Sequence, residues 1–492
     1  MKKILIFTII FLVFLSFNSY ASPVGFTGGV NDEYEYEEVV FITGEPIKFT
    51  GQIKINEREK NDVKTVNYRF DLKPEDKSIK GKLTRNITVE TKFNNRNDKG
   101  QAIGQTSLTK FSEKIEIGDD KFELKDYQFS KSDIIDKRPA SDFYSGNIKG
   151  RKYYTINKDE GKVVVDISGG DVGYENFWGS TETQILNYYI NYEKETDDTK
   201  VNWNGTVKVQ VSDSLSKKLK YSDNMVNLSS FNGGYIKVTD REIISKYEYN
   251  LPRLKDGIPY KDRRNSGEIE LSKKMVPKIE RLIVPKFRDV NGHWAESYIE
   301  KLYSLDVFDE KSEFFTPDIP MTRLEFTRAI IKACDIRTLI DKKDRRSRRT
   351  KQEVEKSPFV DISADDKDYV YIKEGLSKGI IQGTSSGIFN PEGPLTRAQA
   401  ITIIIRALGF NNKAPNPGYF TSFDDDRNIP DWARDSIYVA REIGIIRGDD
   451  NNRVYPNKVM TRAEASAMLV RFLEFLEKDL QKDYRENIVL FN

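Results

Sequence analysis

The chain has 492 residues, 79 Lys and Arg against 77 Asp and Glu, 38% apolar and 12% aromatic content, one cysteine and one histidine. This length and composition suit two to four domains with real cores, and a 32% charged content that nearly cancels leaves no global field for nucleic acid. A single Cys excludes an intramolecular disulfide and thiolate zinc sites, while a single His excludes His-rich metal centres and confines any His-dependent triad to that residue.

In chain order, Lys2 and Lys3, the 14-residue apolar run Ile4 to Phe17, and the small residues Ser19 and Ala21 read as a signal peptide over 1–21, cut before Ser22. Export is the expectation. The run is short for a membrane span, and no later segment approaches the roughly 20 apolar residues a span needs, so no membrane partner is expected after cleavage. No Cys lies near the cut to carry a lipid. Losing Lys2 and Lys3 brings the 79 basic residues to 77, equal to the acids. An exported chain without disulfides suits a bacterial surface better than a disulfide-stapled scaffold.

Residues 22–250 alternate apolar and polar in short runs, among them Ile47 to Ile55, Val66 to Leu72, Ile87 to Phe93, Val163 to Ile167 and Ile185 to Tyr192. Period two with β-branched and aromatic enrichment predicts strands, hence an all-β region of one or two sandwiches. Near its start, Glu33, Glu35, Glu37 and Glu38 invite comparison with a hydrolytic carboxylate pair or a calcium site; alternation on a strand edge makes them a solvated face. Tyr174, Phe177 and Trp178, beside Gly173 and Gly179, read as a core plug, with a carbohydrate-stacking platform as the alternative. Residues 251–285, with Pro252, Pro259, Pro277 and Pro285, read as a linker with a short helix around Met275 to Ile283.

Past Pro285 the period becomes helical and the chain repeats itself. Phe287-Arg-Asp289, Phe359-Val-Asp361 and Phe423-Asp-Asp425 are followed 35, 37 and 38 residues later by Thr322-Arg323, Thr396-Arg397 and Thr461-Arg462. Between them lie an amphipathic helix and a Phe or Tyr before proline: Phe315-Thr-Pro317, Phe389-Asn-Pro391 and Tyr455-Pro456. Thr322 with Glu325, Thr396 with Gln399, and Thr461 with Glu464 are capping boxes, and each opens a helix with the same apolar stripe. Each repeat is too small to bury its face alone, so the three are expected to pack into an all-α bundle. The repeats span 286–340, 358–410 and 422–475, with a charged loop at 341–357 and a tail at 476–492. Asp341 to Lys356 carries eight basic residues against four acids, a solvated loop by default.

These residues resemble the S-layer homology family, whose repeats read roughly Phe-x-Asp-Val, Gly-His-Trp-Ala, a helix, Phe-x-Pro and Thr-Arg-Ala-Glu. The first copy matches through Phe287, Asp289, Val290, Gly292, His293, Trp294 and Ala295, then Thr322 to Glu325; the third matches through Asp425, Trp432 and Ala433, then Thr461 to Glu464. The resemblance implies a pseudo-threefold bundle that binds a secondary cell-wall polysaccharide, often pyruvylated, with the motif arginine meeting an acidic sugar between repeats. Independently, an arginine at the first position of a capped helix lies by unsatisfied amides and the positive dipole end, which suits an anion, and its fork suits a carboxylate. Arg323, Arg397 and Arg462 are therefore the candidate polymer contacts. Trp294 and Trp432 are candidate sugar-stacking residues, though a Trp at such a position is more often core. Lys367 replaces that Trp in the second repeat, and Asp306 and Asp309 in the first stand where glycines are expected from Gly379, Gly383, Gly444 and Gly448.

His293, inside its motif, is expected to be structural; Cys334 is expected near the core, and Asp424, Asp425 and Asp426 as turn and cap residues. No catalytic residue, metal or cofactor is implied. Two functions remain: a non-catalytic surface protein anchored to wall polysaccharide, with itself or other surface-layer proteins as further partners, or an anchored glycan hydrolase working through carboxylates of the β region, since that chemistry needs neither His nor Cys.

Overall fold

The computed structural model describes residues 28–479, save 97–98, 197–198, 223–232, 256, 283, 335–355 and 416–418. The expected signal peptide, most of the charged loop and most of the tail therefore lie outside the described residues.

The β region is one antiparallel meander of fourteen strands: β1 Val30–Asn31, β2 Tyr36–Val40, β3 Ile47–Lys60, β4 Val63–Pro74, β5 Gly81–Arg96, β6 Gln101–Ile117, β7 Asp120–Lys137, β8 Ser141–Ile156, β9 Gly161–Asn176, β10 Gly179–Thr196, β11 Thr199–Ser222, β12 Gly234–Lys255, β13 Ile258–Lys274 and β14 Lys278–Leu282. Short turns fix the register. Asn61 and Asp62, both at positive φ, close the two-residue hairpin that pairs Lys60 with Val63. The all-β expectation is met, with every strand in one continuous sheet. The sheet curls until its ends approach: Lys273 of β13 reaches Glu35 and Glu37 at 2.9 and 2.7 Å, and the Ser245 hydroxyl of β12 donates to the Gly28 carbonyl at 2.6 Å. One curled sheet thus encloses the core that two stacked sheets would have shared.

The stretch expected as a linker is strand. Its prolines sit where a sheet tolerates a missing N–H: Pro252 at a register shift, Pro259 at the start of β13, and Pro277 in the gap between β13 and β14, which run in succession along one edge of β12.

The acidic segment also departs from expectation. β2 is buried on every residue, and Glu38 is 2% exposed. The curled sheet covers β2 from both sides, so alternation has no solvent side to report. Glu38 belongs to a buried charge network: Arg85 of β5 donates to both Glu38 oxygens at 2.7 and 2.9 Å and to both Glu113 oxygens at 2.8 and 3.0 Å. Lys152 at 3.2 Å and the Tyr154 hydroxyl at 2.9 Å complete the Glu113 shell. Burial alone would raise the Glu113 carboxyl; the Arg85 and Lys152 charges, with the bonds from Arg85 and Tyr154, outweigh it and hold the group at about 2.

The helices after the sheet come in pairs: α1 Glu296–Ser304 with α2 Arg323–Ala333, α3 Tyr369–Ser377 with α4 Arg397–Leu408, and α5 Asp431–Glu442 with α6 Arg462–Glu474. The residues preceding the three threonines bond one another in a cycle: Met321 N donates to Met460 O at 3.0 Å, Met460 N to Leu395 O at 2.9 Å, and Leu395 N to Met321 O at 2.8 Å. Backbone and core thus join the three copies. Tyr174 and Trp178 of the β region belong to this same apolar cluster, and Asn176 donates to the Leu476 carbonyl at 3.2 Å. The aromatic cluster is a core plug, and what it plugs is the junction between sheet and helices.

Candidate functional site

The starts of α2, α4 and α6 meet at the junctions between repeats. All three capping boxes are present, each threonine accepting the N3 amide. The first two amides of each helix are also taken. Arg323 N and Leu324 N donate to the carbonyls of Gly393 and Pro391, Arg397 N and Ala398 N to those of Lys458 and Pro456, and Arg462 N and Ala463 N to those of Ile319 and Pro317. Each helix start is thus plugged by the proline turn of the next repeat in the cycle. This corrects the expectation of an anion site built on free amides: the dipole remains, but the donors are spent on holding the repeats together.

The aspartate of each repeat's opening motif stiffens that turn. Asp289 accepts from Phe315 N and Thr316 N at 2.9 and 2.6 Å, Asp361 from Phe389 N and Asn390 N at 3.0 and 2.6 Å, and Asp425 from Val454 N and Tyr455 N at 2.9 and 2.8 Å. Thr316, Asn390 and Tyr455 share a positive φ. In the third copy the buried aromatic position is therefore Val454, and Tyr455 is the strained turn residue one place later. Asp306, expected to disturb its turn, adopts φ 57° beside 68° at Gly379 and 77° at Gly444, so the same left-handed turn forms without glycine.

What remains to recognise an anion is the arginines themselves, and the three junctions differ. At the first, a groove of about 290 Å³ is lined by Arg323 of α2, Gln382, Gln399, Thr402 and Arg406 around α4, and Trp432 of α5. Among the described residues no carboxylate lines it. Arg323 is 5% exposed and rests over the Phe389 ring at 5.0 Å; its Nε and Nη2 donate to the carbonyls of Phe389 and Gln382 at 3.0 and 2.8 Å. Burial, and then the neighbouring Arg406 charge, push its guanidinium below the ordinary value. Burial does the same to Arg406. The Thr402 hydroxyl has no hydrogen-bond partner among the described residues.

The second junction pairs Arg397 with Arg471, which is exposed, and adds the nearby carboxylates of Glu464 and Asp425. Burial is the largest influence on Arg397 and lowers it, Glu464 opposes that, and Arg471 adds to it. Val454 offers no ring to Arg397, whose Nε, like that of Arg462, has no hydrogen-bond partner among the described residues. Trp294 holds in the first repeat the place Trp432 holds in the third. Both indoles are exposed, at 59% and 55%, which sets aside the core reading.

The third junction is filled from within. Arg462, 6% exposed, donates to Glu325 and, at 2.7 Å, to Glu310. Arg328 ties Glu310 at 2.7 Å and Asp368 at 3.4 Å, and Lys332 holds Asp309 at 2.5 Å. Lys367 stands at the tryptophan position. The protein's own carboxylates thus pair with Arg462.

His293 is structural as expected: its Nδ1 accepts from Ala295 N at 3.1 Å at the start of α1. Cys334 is buried at the end of α2. Asp424 accepts from the Asn452 side chain and Asp425 from Val454 N, both tying in the later turn, while Asp426 accepts locally from Thr421 N; Asp425 precedes a 3₁₀ turn without capping it. The sequence reading missed Arg406 and Arg471, although a basic residue recurs ten places after each threonine, as Lys332, Arg406 and Arg471. Among the described residues no group of His, Cys, Asp and Glu is placed to hold a metal, and no helix is long and apolar enough to cross a membrane.

The family described as S-layer homology domain matches residues 286–327, 358–401 and 422–466. Similar proteins include Exoglucanase XynX of Acetivibrio thermocellus, 29% identical over 221 residues, which are 44% of this chain and 19% of that protein. The Cellulosome-anchoring protein of the same species is 31% identical over 98 residues, 20% of this chain and 22% of that protein. S-layer protein EA1 of Bacillus anthracis is 29% identical over 103 residues, 21% and 11%. The chain thus spans under a quarter of the length of each of these relatives. Residues 286–466 carry three tandem S-layer homology domain repeats, and the chain is of the exported, cell-surface kind.

Proposed function

We propose that the chain is held non-covalently on an acidic, pyruvylated secondary cell-wall polysaccharide by its first two inter-repeat grooves, and that it displays a non-catalytic β region outward, alone or assembled with itself or other surface-layer proteins. The observation that carries this reading is the first groove: two partly desolvated arginines side by side, an exposed tryptophan at the rim and no carboxylate of its own. An acidic sugar supplies the missing charge to the guanidinium forks and a face to the indole. At the second junction the corresponding arginines are Arg397 and Arg471, the latter exposed, with the Glu464 and Asp425 charges facing Arg397.

The test is co-sedimentation of the full chain with purified wall sacculi before and after chemical removal of the secondary polymer. Retention lost on removal supports the reading; equal retention overturns it.

A wall-anchored glycan hydrolase is the second reading, favoured by carboxyl groups around a cavity in the β region. Burial raises Glu175 to about 7, with the Asp142 charge next in effect, and Asp133 also lies at about 7. Two such groups suit acid and base roles. Release of reducing ends from wall glycans by the full chain, abolished in Glu175→Gln, would establish it.

A further inference from the structure

We infer that the cavity at the helix-proximal end of the β region is a binding site for an organic ammonium group. The cavity, about 250 Å³, lies on the sheet between β3 to β6 on one side and β7 to β10 on the other. Glycines inside strands make room for the side chains that line it. A Cβ on Gly146 would collide with the Asp133 and Asp171 carboxylates, and one on Gly173 with the Tyr144 ring; a strand-interior glycine marks a place where something else approaches closely. Tyr68, Phe93 and Tyr144 turn aromatic surface to the space.

The charges of the lining are unevenly matched. Deep in the wall, Lys131 has a side chain 7% exposed and already sits among Asp171 at 2.6 Å, Asp133 at 3.5 Å and Glu182 at 3.8 Å. The protein's own ammonium thus shows what this wall accepts. Asp133 Oδ1 is sealed from solvent, and burial, with the Asp171 carboxyl beside it, raises the group against the pull of Lys131. Further along the same strands, Asp142 of β8 and Glu175 of β9 are directly opposed in the ladder, an arrangement of like charges that costs stability. Neither has a hydrogen-bonded or ion-paired partner among the described residues. The cations that face Glu175 are engaged elsewhere: Lys64 of β4 holds Glu57 at 3.0 Å, and Lys217 of β11 donates to the Phe177 carbonyl at 2.7 Å. Glu182 of β10 adds a further negative charge.

An ammonium group relieves this opposition and rests against the rings, which attract cations. An anion is repelled, and a neutral sugar leaves the carboxylates facing one another. The proposal rests on the non-catalytic reading of the β region and is independent of the wall-binding grooves. Burial, followed by the Asp142 charge, raises Glu175; burial also raises Asp142, against the charges of Lys137, its ladder partner on β7, and of Lys378, which draw it down. A bound cation draws both down again, so binding near pH 7 releases protons.

Isothermal titration of the full chain with putrescine, glucosamine and glucose, at pH 7 in two buffers of different ionisation enthalpy, tests the proposal. The expected result is binding of at least one amine but not glucose, with proton release. Glu175→Gln and Asp142→Asn should each weaken it at least about tenfold while sacculus retention stays unchanged. Putrescine binding alone points to a polyamine or a lysine-like side chain, and glucosamine binding alone to an amino sugar. Absence of amine binding, equal binding of glucose, or unaltered affinity in both variants overturns the proposal. Release of reducing ends from a glycan assigns the cavity to catalysis and overturns it as well. Should a variant fail to fold, proton release by the unaltered chain decides.

Discussion

Arginine is buried in both halves of the molecule, and the two halves treat it oppositely. In the sheet, Arg85 is ringed by the four oxygens of Glu38 and Glu113. At the first repeat junction, among the described residues, Arg323 donates to two backbone carbonyls and lies beside a second arginine. The third junction adopts the solution found in the sheet, with Glu310 and Glu325 closing on Arg462. A buried charge that the protein satisfies serves structure, and one left short of partners is poised for a ligand.

The sharpest way to break this contrast is in the sheet. Glu113→Leu leaves Arg85 and Lys152 without their shared carboxylate and should cost about 3–5 kcal/mol, read as a lowered urea midpoint. A loss below about 1 kcal/mol would show that the network does not hold β2 in place. The same group predicts acid behaviour. Its folded pKa, about 2, lies below the ordinary 4.5, so its contribution is complete above about 4.5 and disappears as pH falls toward 2. A urea midpoint flat across that window would contradict the assignment.

The grooves come next. Arg323→Ala and Arg397→Ala should each reduce sacculus retention about tenfold, the scale of a lost charged hydrogen bond, whereas Arg462→Ala should change it less than about twofold. Equal losses at all three positions would erase the distinction between open and filled junctions. Converting the third junction, by Glu310→Gly with Glu325→Gln, should raise retention severalfold; unchanged retention would mean that Lys367, standing where the other repeats have tryptophan, also closes it. Among the expected losses at the open junctions the smallest is Trp432→Ala, which should weaken retention about two- to tenfold, as for about 0.5–1.5 kcal/mol of ring contact, with the thermal midpoint unmoved because the indole is already exposed.

Local features were legible in the sequence because their causes are local. Capping boxes join residues three apart, the apolar stripes of α2, α4 and α6 follow from helical geometry, and alternation announces strands wherever one face meets water. Alternation misled at Glu37 and Glu38 because the curled sheet covers β2 on both sides, and the prolines of 251–285 suggested a linker because a sequence does not say which strand is an edge. The filling of the third groove was equally hidden. Glu310 and Glu325 reach Arg462 across 152 and 137 residues, and the amides at each helix start are consumed by a turn in another repeat. Composition and periodicity determined the two halves, the repeats and the candidate arginines. Which arginine remains open to a ligand depends on contacts made only when the chain closes its threefold cycle, where a neighbour's carboxylate either arrives or does not.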